Sequence, residues 1–224
     1  MRAPISVIVP TLNAEGHLGT CLMSLMPALE RGLIRELIVS DGGSTDQTVA
    51  LAKEWGAEVL EGTPSRGAQL ARACRMAQGR WLLVLHADTR LDDSWVGAAI
   101  RHIETQKAGW FMLAFDDGGL AAWCVASWAN LRSRLGLPYG DQGLLLPKAL
   151  YDQVGGYPQE PLMEDVALAM ALKGHLRALP ANAITSAVRY QRQGWLRRGA
   201  RNLWTLCRYF GGASPQTLAD SYRS

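Results

Sequence analysis

Four groups of polar residues stand next to apolar stretches, where a folded chain could present them to a ligand. His86-Ala87-Asp88 closes the most hydrophobic run, 81–85. An oxygen ligand at that place suits a divalent cation bridging a diphosphate, because magnesium and manganese take one or two carboxylates together with phosphates and waters. Asp88 is accordingly the candidate metal ligand, while His86 reads either as a second ligand or as a hydrogen-bonded strand-end histidine. Asp41-Gly42-Gly43-Ser44-Thr45-Asp46 also follows an apolar run and precedes a helical pattern. It reads as a plain strand-to-helix turn capped by Ser44 or Thr45, or as a carboxylate placed to accept hydrogen bonds from a ribose or base. Glu164-Asp165 precedes an apolar helix; acids there answer the helix dipole, and a carboxylate at this point could equally take a proton from an attacking acceptor. Asp141-Gln142, between Gly140 and Gly143, forms either a ligand-free turn or a polar pair on a flexible loop that could reach a ligand.

The elements that must position these residues alternate. Apolar runs at 5–9, 37–39, 59–60 and 81–85 are interleaved with helical patterns at 14–28, 48–55, 67–77 and 93–106. Leu18, Leu22, Leu25 and Leu29 recur at helical spacing behind Asn13, the expected N-cap. The alternation predicts right-handed βαβ units, hence an α/β fold with a mostly parallel sheet and helices on both faces. Ligands of such open sheets bind beyond the carboxyl ends of the strands, so the loops after Val9, Ser40 and Leu85 should share one crevice. After Gly109 the pattern loosens into a strand at 110–115, a helix at 123–135 and a glycine-rich loop at 136–143. The expected division is a nucleotide-binding half at 1–110, an acceptor-side half of the same domain at 111–190, and a C-terminal helical appendage at 191–224.

A length of 224 residues, 48% of them hydrophobic and 19% charged, is that of one folded domain. The net charge of +3 is unevenly spread: between Asp165 and Asp220 there is no acidic residue, while Lys173, Arg177, Arg189, Arg192, Arg197, Arg198, Arg201 and Arg208 all fall there. Phosphate-bearing partners suit such a region. Its stretch 195–210 is an amphipathic pattern with Leu196, Leu203, Trp204, Leu206 and Phe210 between arginines. Three roles stay open for it: packing on the core, arginine contact with a diphosphate, or docking on an anionic membrane. Cys21, Cys74, Cys124 and Cys207 lack metal-ligand spacing and read as buried free thiols. The N-terminal apolar run is too short for a signal peptide, and no stretch is long enough to span a bilayer, so a cytoplasmic chain is expected. GxGxxG is absent after the first strand and GxxxxGK[ST] is absent throughout, which disfavours a Rossmann dehydrogenase and a P-loop enzyme.

Taken together and in this order, Val9-Pro10-Thr11-Leu12-Asn13, Val39-Ser40-Asp41-Gly42-Gly43-Ser44-Thr45-Asp46, Arg66-Gly67 and His86-Ala87-Asp88 resemble the family 2 glycosyltransferases, which have a GT-A fold. A closer similarity covers nearly the whole chain, including Gly140-Asp141-Gln142-Gly143, Glu164-Asp165 and the Trp195 region. It is to small bacterial members associated with radical-SAM and selenium domains or with arsenosugar biosynthesis. The resemblance implies an inverting transfer of a sugar from a nucleotide diphosphate donor, a UDP-sugar in the first instance, to a small-molecule or lipid acceptor, with Mn2+ or Mg2+ as cofactor. It implies that Asp165 is the catalytic base and Asp88 the metal ligand. The donor nucleotide would lie against Pro10, Thr11, Asn13, Glu15, Asp41, Gly43, Ser44, Arg66, His86 and Ala87. Gly140, Asp141, Gln142 and Glu164 would face the acceptor or donor sugar, and Arg192, Trp195 and Arg198 the diphosphate. The departure is His86, where the family pattern usually has an aspartate. No nucleic-acid partner is expected; the tryptophans leave room for a helix-mediated dimer. Two rival functions are a sugar-phosphate nucleotidyltransferase, whose usual glycine-rich basic loop after the first strand is missing here, and a non-catalytic protein that binds a nucleotide sugar or a phospholipid.

Overall fold

The structure, a computed structural model, describes residues 3–223. The first half runs β1 (Ile5–Thr11), α1 (Glu15–Met23), α2 (Met26–Glu30), β2 (Ile34–Asp41), α3 (Thr48–Glu54), β3 (Glu58–Glu61), α4 (Arg66–Met76), β4 (Trp81–Val84), β5 (Thr89–Leu91) and α5 (Trp95–His102). The second half continues with β6 (Ala108–Phe115), α6 (Gly119–Arg134), a 3-10 turn at Gly140–Gln142, β7 (Leu144–Pro147), α7 (Lys148–Gln153) and α8 (Glu164–Ala171). It closes with β8 (Leu176–Thr185), α9 (Val188–Gln193), α10 (Trp195–Phe210) and α11 (Pro215–Arg223). One sheet holds the strands in the order β3-β2-β1-β4-β7-β6-β8-β5. Its β3-β2, β2-β1, β1-β4 and β6-β8 pairings are parallel and the other three antiparallel, so the expected mostly parallel sheet is present with an antiparallel insertion at β7.

The alternation of side chains along each strand divides the core in two. Val7, Val9, Val39 and Leu83 pack with α1 and α5, through Leu18, Leu22, Trp95 and Val96. Ile8, Ile38, Leu82 and Val84 turn the other way, onto Leu70, Cys74, Tyr151 and Leu168 of α4, α7 and α8. A third cluster joins Leu206 of α10 and Leu218 of α11 to Met163 and Val166 at the start of α8. The C-terminal segment is thus built into the same body by its inner face. No helix among the described residues is long and apolar enough to cross a membrane.

Three expectations need correction. The helix expected over 14–28 is two helices, because Pro27 lacks an amide proton and would clash inside a continuous helix; it sits instead in the first turn of α2. Asn13 is not an N-cap: its backbone is left-handed, with φ 49°, and its Oδ1 accepts a hydrogen bond from the amide of Thr45 across the cleft floor. Of the cysteines only Cys21 and Cys74 are buried, while Cys124 and Cys207 are exposed on α6 and α10.

Gly67, in the first turn of α4, donates its amide proton to the carbonyl oxygen of Glu160 at 3.2 Å. A Cβ there would lie 2.3 Å from the Pro158 carbonyl oxygen and 2.5 Å from that of Glu160, both of them backbone atoms. Gly67→Ala should therefore displace the 158–161 segment and destabilise the fold by about 1–3 kcal/mol, read as a lower urea midpoint with an unchanged slope.

Candidate active site

The floor of the site is the pair of loops that leave β1 and β2. Asp41 ends β2 with its side chain buried, and Thr11 and Ser44 hydroxyls donate to its Oδ1 at 2.8 and 2.6 Å. The amides of Gly43 and Ser44 donate to Oδ2 at 2.8 and 2.7 Å. Burial alone would push this carboxyl upward, but the bonds from Ser44, Thr11 and Gly43 outweigh it and hold its pKa below the usual range. Farther out, the Asn13 amide donates to Ser44 Oγ, the Glu15 amide to Asp46 and the Gln47 amide to Glu15. From above, the Gln69 side chain on α4 donates to the carbonyl oxygens of Thr11 and Ser40 at 2.8 and 2.7 Å. These bonds lace the two strand ends and α4 into one platform.

Above the platform runs a cleft with two ends. One is lined by Pro10, Thr11, Asn13, Gln69, Ala87 and Pro161, the other by Tyr139, Gly140, Asp141, Asp165, Arg198 and Asn202. Arg66, His86, Asp88, Leu162 and Arg189 border both ends, so the space is continuous. Of the residues expected from the sequence, Pro10, Thr11, Asn13, Arg66, His86, Ala87, Asp88, Gly140, Asp141, Asp165 and Arg198 meet here. Glu15, Asp41, Gly43 and Ser44 lie in the platform beneath, their polar groups engaged in the loop bonds described above.

Gln142, Glu164, Arg192 and Trp195 depart from expectation. Gln142 is fully buried, accepting from Ser133 and Arg132 and donating to the Phe111 carbonyl oxygen, so it braces the loop instead of reaching a ligand. Glu164 points inward, behind Arg66, whose Nε lies 3.5 Å from its Oε1. Arg192 is exposed outside the cleft lining. Trp195 stacks on Tyr190 and sets its edge against Phe115, each with centroids 5.0 Å apart, which makes it an anchor for the start of α10. In the other direction, Arg189, Tyr139, Asn202 and Gln69 line the cleft without having been singled out. Arg189 carried a signal, its place in the acid-free basic stretch, and its guanidinium stands 3.9 Å from the Asp88 carboxylate. Tyr139 and Asn202 are brought in only by tertiary folding.

The carboxylates at the second end differ in environment. Asp165 accepts hydrogen bonds from the amides of Gly140 and Val166, each at 2.8 Å, which fixes its orientation while leaving each oxygen a second acceptor site. Met163 in front of it takes a left-handed backbone, φ 66°, that turns the chain into α8 and sets Glu164-Asp165 in the first helical turn. Asp141 is pushed up to about 6, first by burial and further by the nearby Asp165 and Asp88 charges, against the pull of Arg132. Its buried Oδ1 has no hydrogen-bond partner among the described residues. His86 is pushed down to about 4 by burial and by Arg66, so its imidazole is neutral near pH 7. Its Nε2 lies against Gly140, where a Cβ would come within 2.4 Å.

Among the described residues no group of three or more His, Cys, Asp or Glu side chains is arranged to hold a metal ion. A cation at Asp88 would therefore draw most of its ligands from a bound diphosphate and water. A single carboxylate facing the cleft fits that kind of site.

Residues 6–143 match the family model described as Glycosyl transferase family 2. A glucosyl-3-phosphoglycerate synthase of Mycolicibacterium paratuberculosis is 33% identical over 93 residues, 38% of this chain and 28% of that protein. A PGL/p-HBAD biosynthesis glycosyltransferase of Mycobacterium bovis is 36% identical over 99 residues, 41% of this chain and 38% of that protein. The chain thus matches less than two-fifths of the length of these curated relatives. In fold it is similar to S. aureus TarS 1-349 in complex with UDP-GlcNAc, with TM-score 0.62, 19% identity, and coverage of 81% of this chain and 58% of that one. The glucosyl-3-phosphoglycerate synthase of Mycobacterium tuberculosis, in complex with Mn2+, UDP and glucosyl-3-phosphoglycerate, aligns with TM-score 0.57 at 22% identity, over 82% of this chain and 71% of that one. The fold is accordingly that of the GT-A glycosyltransferases.

Burial raises the Glu164 carboxyl from 4.5 to about 7, outweighing the Arg66 guanidinium beside it. A carboxyl that titrates higher folded than unfolded favours the fold at low pH and loses that advantage as pH rises to the folded value. Glu164→Gln should match wild type in stability below pH 4.5 and become the more stable of the two across the window up to about 7, by about 3 kcal/mol at its upper end. Chemical denaturation at several pH values checks this; a wild type that is the more stable at pH 8 would mean that the Arg66 ion pair outweighs burial.

Proposed function

The chain belongs to glycosyl transferase family 2, and from that premise we propose that it transfers a sugar, with inversion, from a nucleotide diphosphate donor to an acceptor nucleophile. The observation that carries this reading is the convergence of Asp88, Arg66, Arg189 and Asp165 on one cleft at the carboxyl ends of the parallel strands. The end bordered by Pro10, Thr11, Asn13 and Gln69 takes the nucleoside. UDP is the first candidate, since both structurally similar enzymes carry a uridine diphosphate group in their complexes.

In this reading the diphosphate lies over Asp88, flanked by Arg66 and Arg189, which answer its charge with hydrogen-bonding cations. Mg2+ or Mn2+ held by Asp88 and the diphosphate would supply Lewis-acid stabilisation of the leaving group. Asp165 accepts the proton of the attacking acceptor as the new bond to the anomeric carbon forms and the bond to the diphosphate oxygen breaks, its electron pair leaving with the nucleotide. Gly140 and Val166 hold the Asp165 carboxylate in place through their amides. The Oδ1 of Asp141, without a partner among the described residues, suits a hydroxyl of the donor sugar or of the acceptor. His86, neutral, leaves Asp88 as the one anionic group at the end of its strand. The nucleotidyltransferase and non-catalytic readings have no comparable observation behind them.

Calorimetric titration with UDP, GDP, CMP and dTDP, with and without Mn2+, should give metal-dependent binding of one diphosphate, lost in Asp88→Ala. Asp165→Asn should keep that binding and lower turnover by about 10²–10⁴-fold, measured as nucleotide release. Wild-type turnover in Asp165→Asn would remove it from the role of base.

A further inference from the structure

Helix α6 is apolar on both of its faces. Ala122, Ala126, Ala129 and Ser133 are buried beneath it, yet Leu120, Trp123, Trp128 and Leu131 face outward at 84%, 68%, 54% and 50% exposure. Those four recur at spacings of three, five and three residues, within one side of a helix of 3.6 residues per turn. Helix α10 repeats the arrangement: Leu206 and Thr205 point inward, while Leu196, Leu203, Trp204 and Phe210 face out at 88%, 45%, 65% and 52%. Trp128 and Leu203 line a single groove between the two helices, so the two outer faces make one surface. Scattered apolar residues are normal on a protein exterior, but a contiguous set of large ones with tryptophans marks a docking face.

Charge selects the occupant. Arg197 and Arg208 border one side of the apolar stripe of α10, Arg134 stands in the last turn of α6, and neither helix contains an acidic residue. A second copy brought onto this face by a two-fold axis would set the arginine rim against its own image. An anionic bilayer answers both features: indole rings favour the headgroup level, apolar side chains enter the acyl boundary, and arginines reach lipid phosphates. We propose that the α6–α10 face seats this protein on an anionic membrane surface. The groove between the helices shares Tyr139, Asp141, Tyr190 and Asn202 with the cleft beside Asp165. Resting on the transfer reading above, this turns the acceptor end of the site toward the lipid, so that an acceptor carried in the bilayer meets Asp165 from the membrane side.

Flotation of the whole chain with vesicles tests the docking directly. Binding to vesicles of equal parts phosphatidylcholine and phosphatidylglycerol should exceed binding to phosphatidylcholine alone by about tenfold and should fall with added salt. Trp123→Ser with Trp204→Ser, and separately Arg134→Glu with Arg197→Glu, should each remove most of that binding while UDP titration of the same variants stays as in wild type. Absence of flotation, or flotation unchanged in both double variants, overturns the proposal. So does a wild-type dimer in light scattering that the tryptophan variant converts to monomer, which would assign the face to a second copy. Flotation without any nucleotide binding would leave the docking intact and sink the transfer reading alone.

Discussion

The buried carboxylate of Asp41 is the interaction on which the cleft floor depends. A charged group taken out of water is costly unless its lone pairs are satisfied, and four donors from Thr11, Gly43 and Ser44 satisfy it here. Because one donor comes from β1 and the others from the loop after β2, satisfying the charge also sets the two strand ends at one height. Asn13, Glu15 and Asp46 extend the same lacing outward. Gln69 closes it from α4, donating to the Ser40 carbonyl oxygen and to that of Thr11, which also accepts the Gly42 amide. Arg66 begins α4, so its reach into the cleft is inherited from that attachment.

A second constraint arrives from the far end of the chain. Leu206 and Leu218 pack on Met163 and Val166, and that contact holds the left-handed turn at Met163 from which Asp165 is presented. A non-glycine residue in that conformation is maintained only where its surroundings over-determine it. The C-terminal helices therefore support the second end of the cleft as well as supplying Arg198 and Asn202 to its lining. Their inner faces serve the site, and their outer faces are left apolar.

The alternating half of the fold was legible because each strand there is a compact apolar run ending in polar residues, and the runs at 5–9, 37–39 and 81–85 all became strands of the sheet. Strand β8 was not. It is built of small residues, LRALPANAIT, with Pro180 within it, so its alternation of buried and exposed positions is carried by alanines that give little pattern. The structure accommodates the interruption by a shift in register between Phe111 and Met112 of the neighbouring strand. In the site, residues at strand ends could be read from local sequence, whereas Tyr139, Arg189 and Asn202 reach it from the loop before the 3-10 turn, α9 and α10. Gln142 misled for a related reason: a polar side chain between glycines looks free, and only the packing of α6 against that turn shows its amide spoken for.

Position 86 bears on the charge balance of the whole cleft. Asp88, Asp141 and Asp165 already surround one space, and Asp141 is raised to about 6 by burial and by the other two. A fourth carboxylate at 86 would join them at close range, and like charges in a partly desolvated site are shed by taking up protons. With histidine there, burial and Arg66 keep the ring neutral, so the side chain adds no charge. Its Nε2 packs on Gly140, the residue whose amide orients Asp165. Histidine at 86 thus braces the turn beneath Asp165 without adding charge beside Asp88, which faces Arg189 at 3.9 Å.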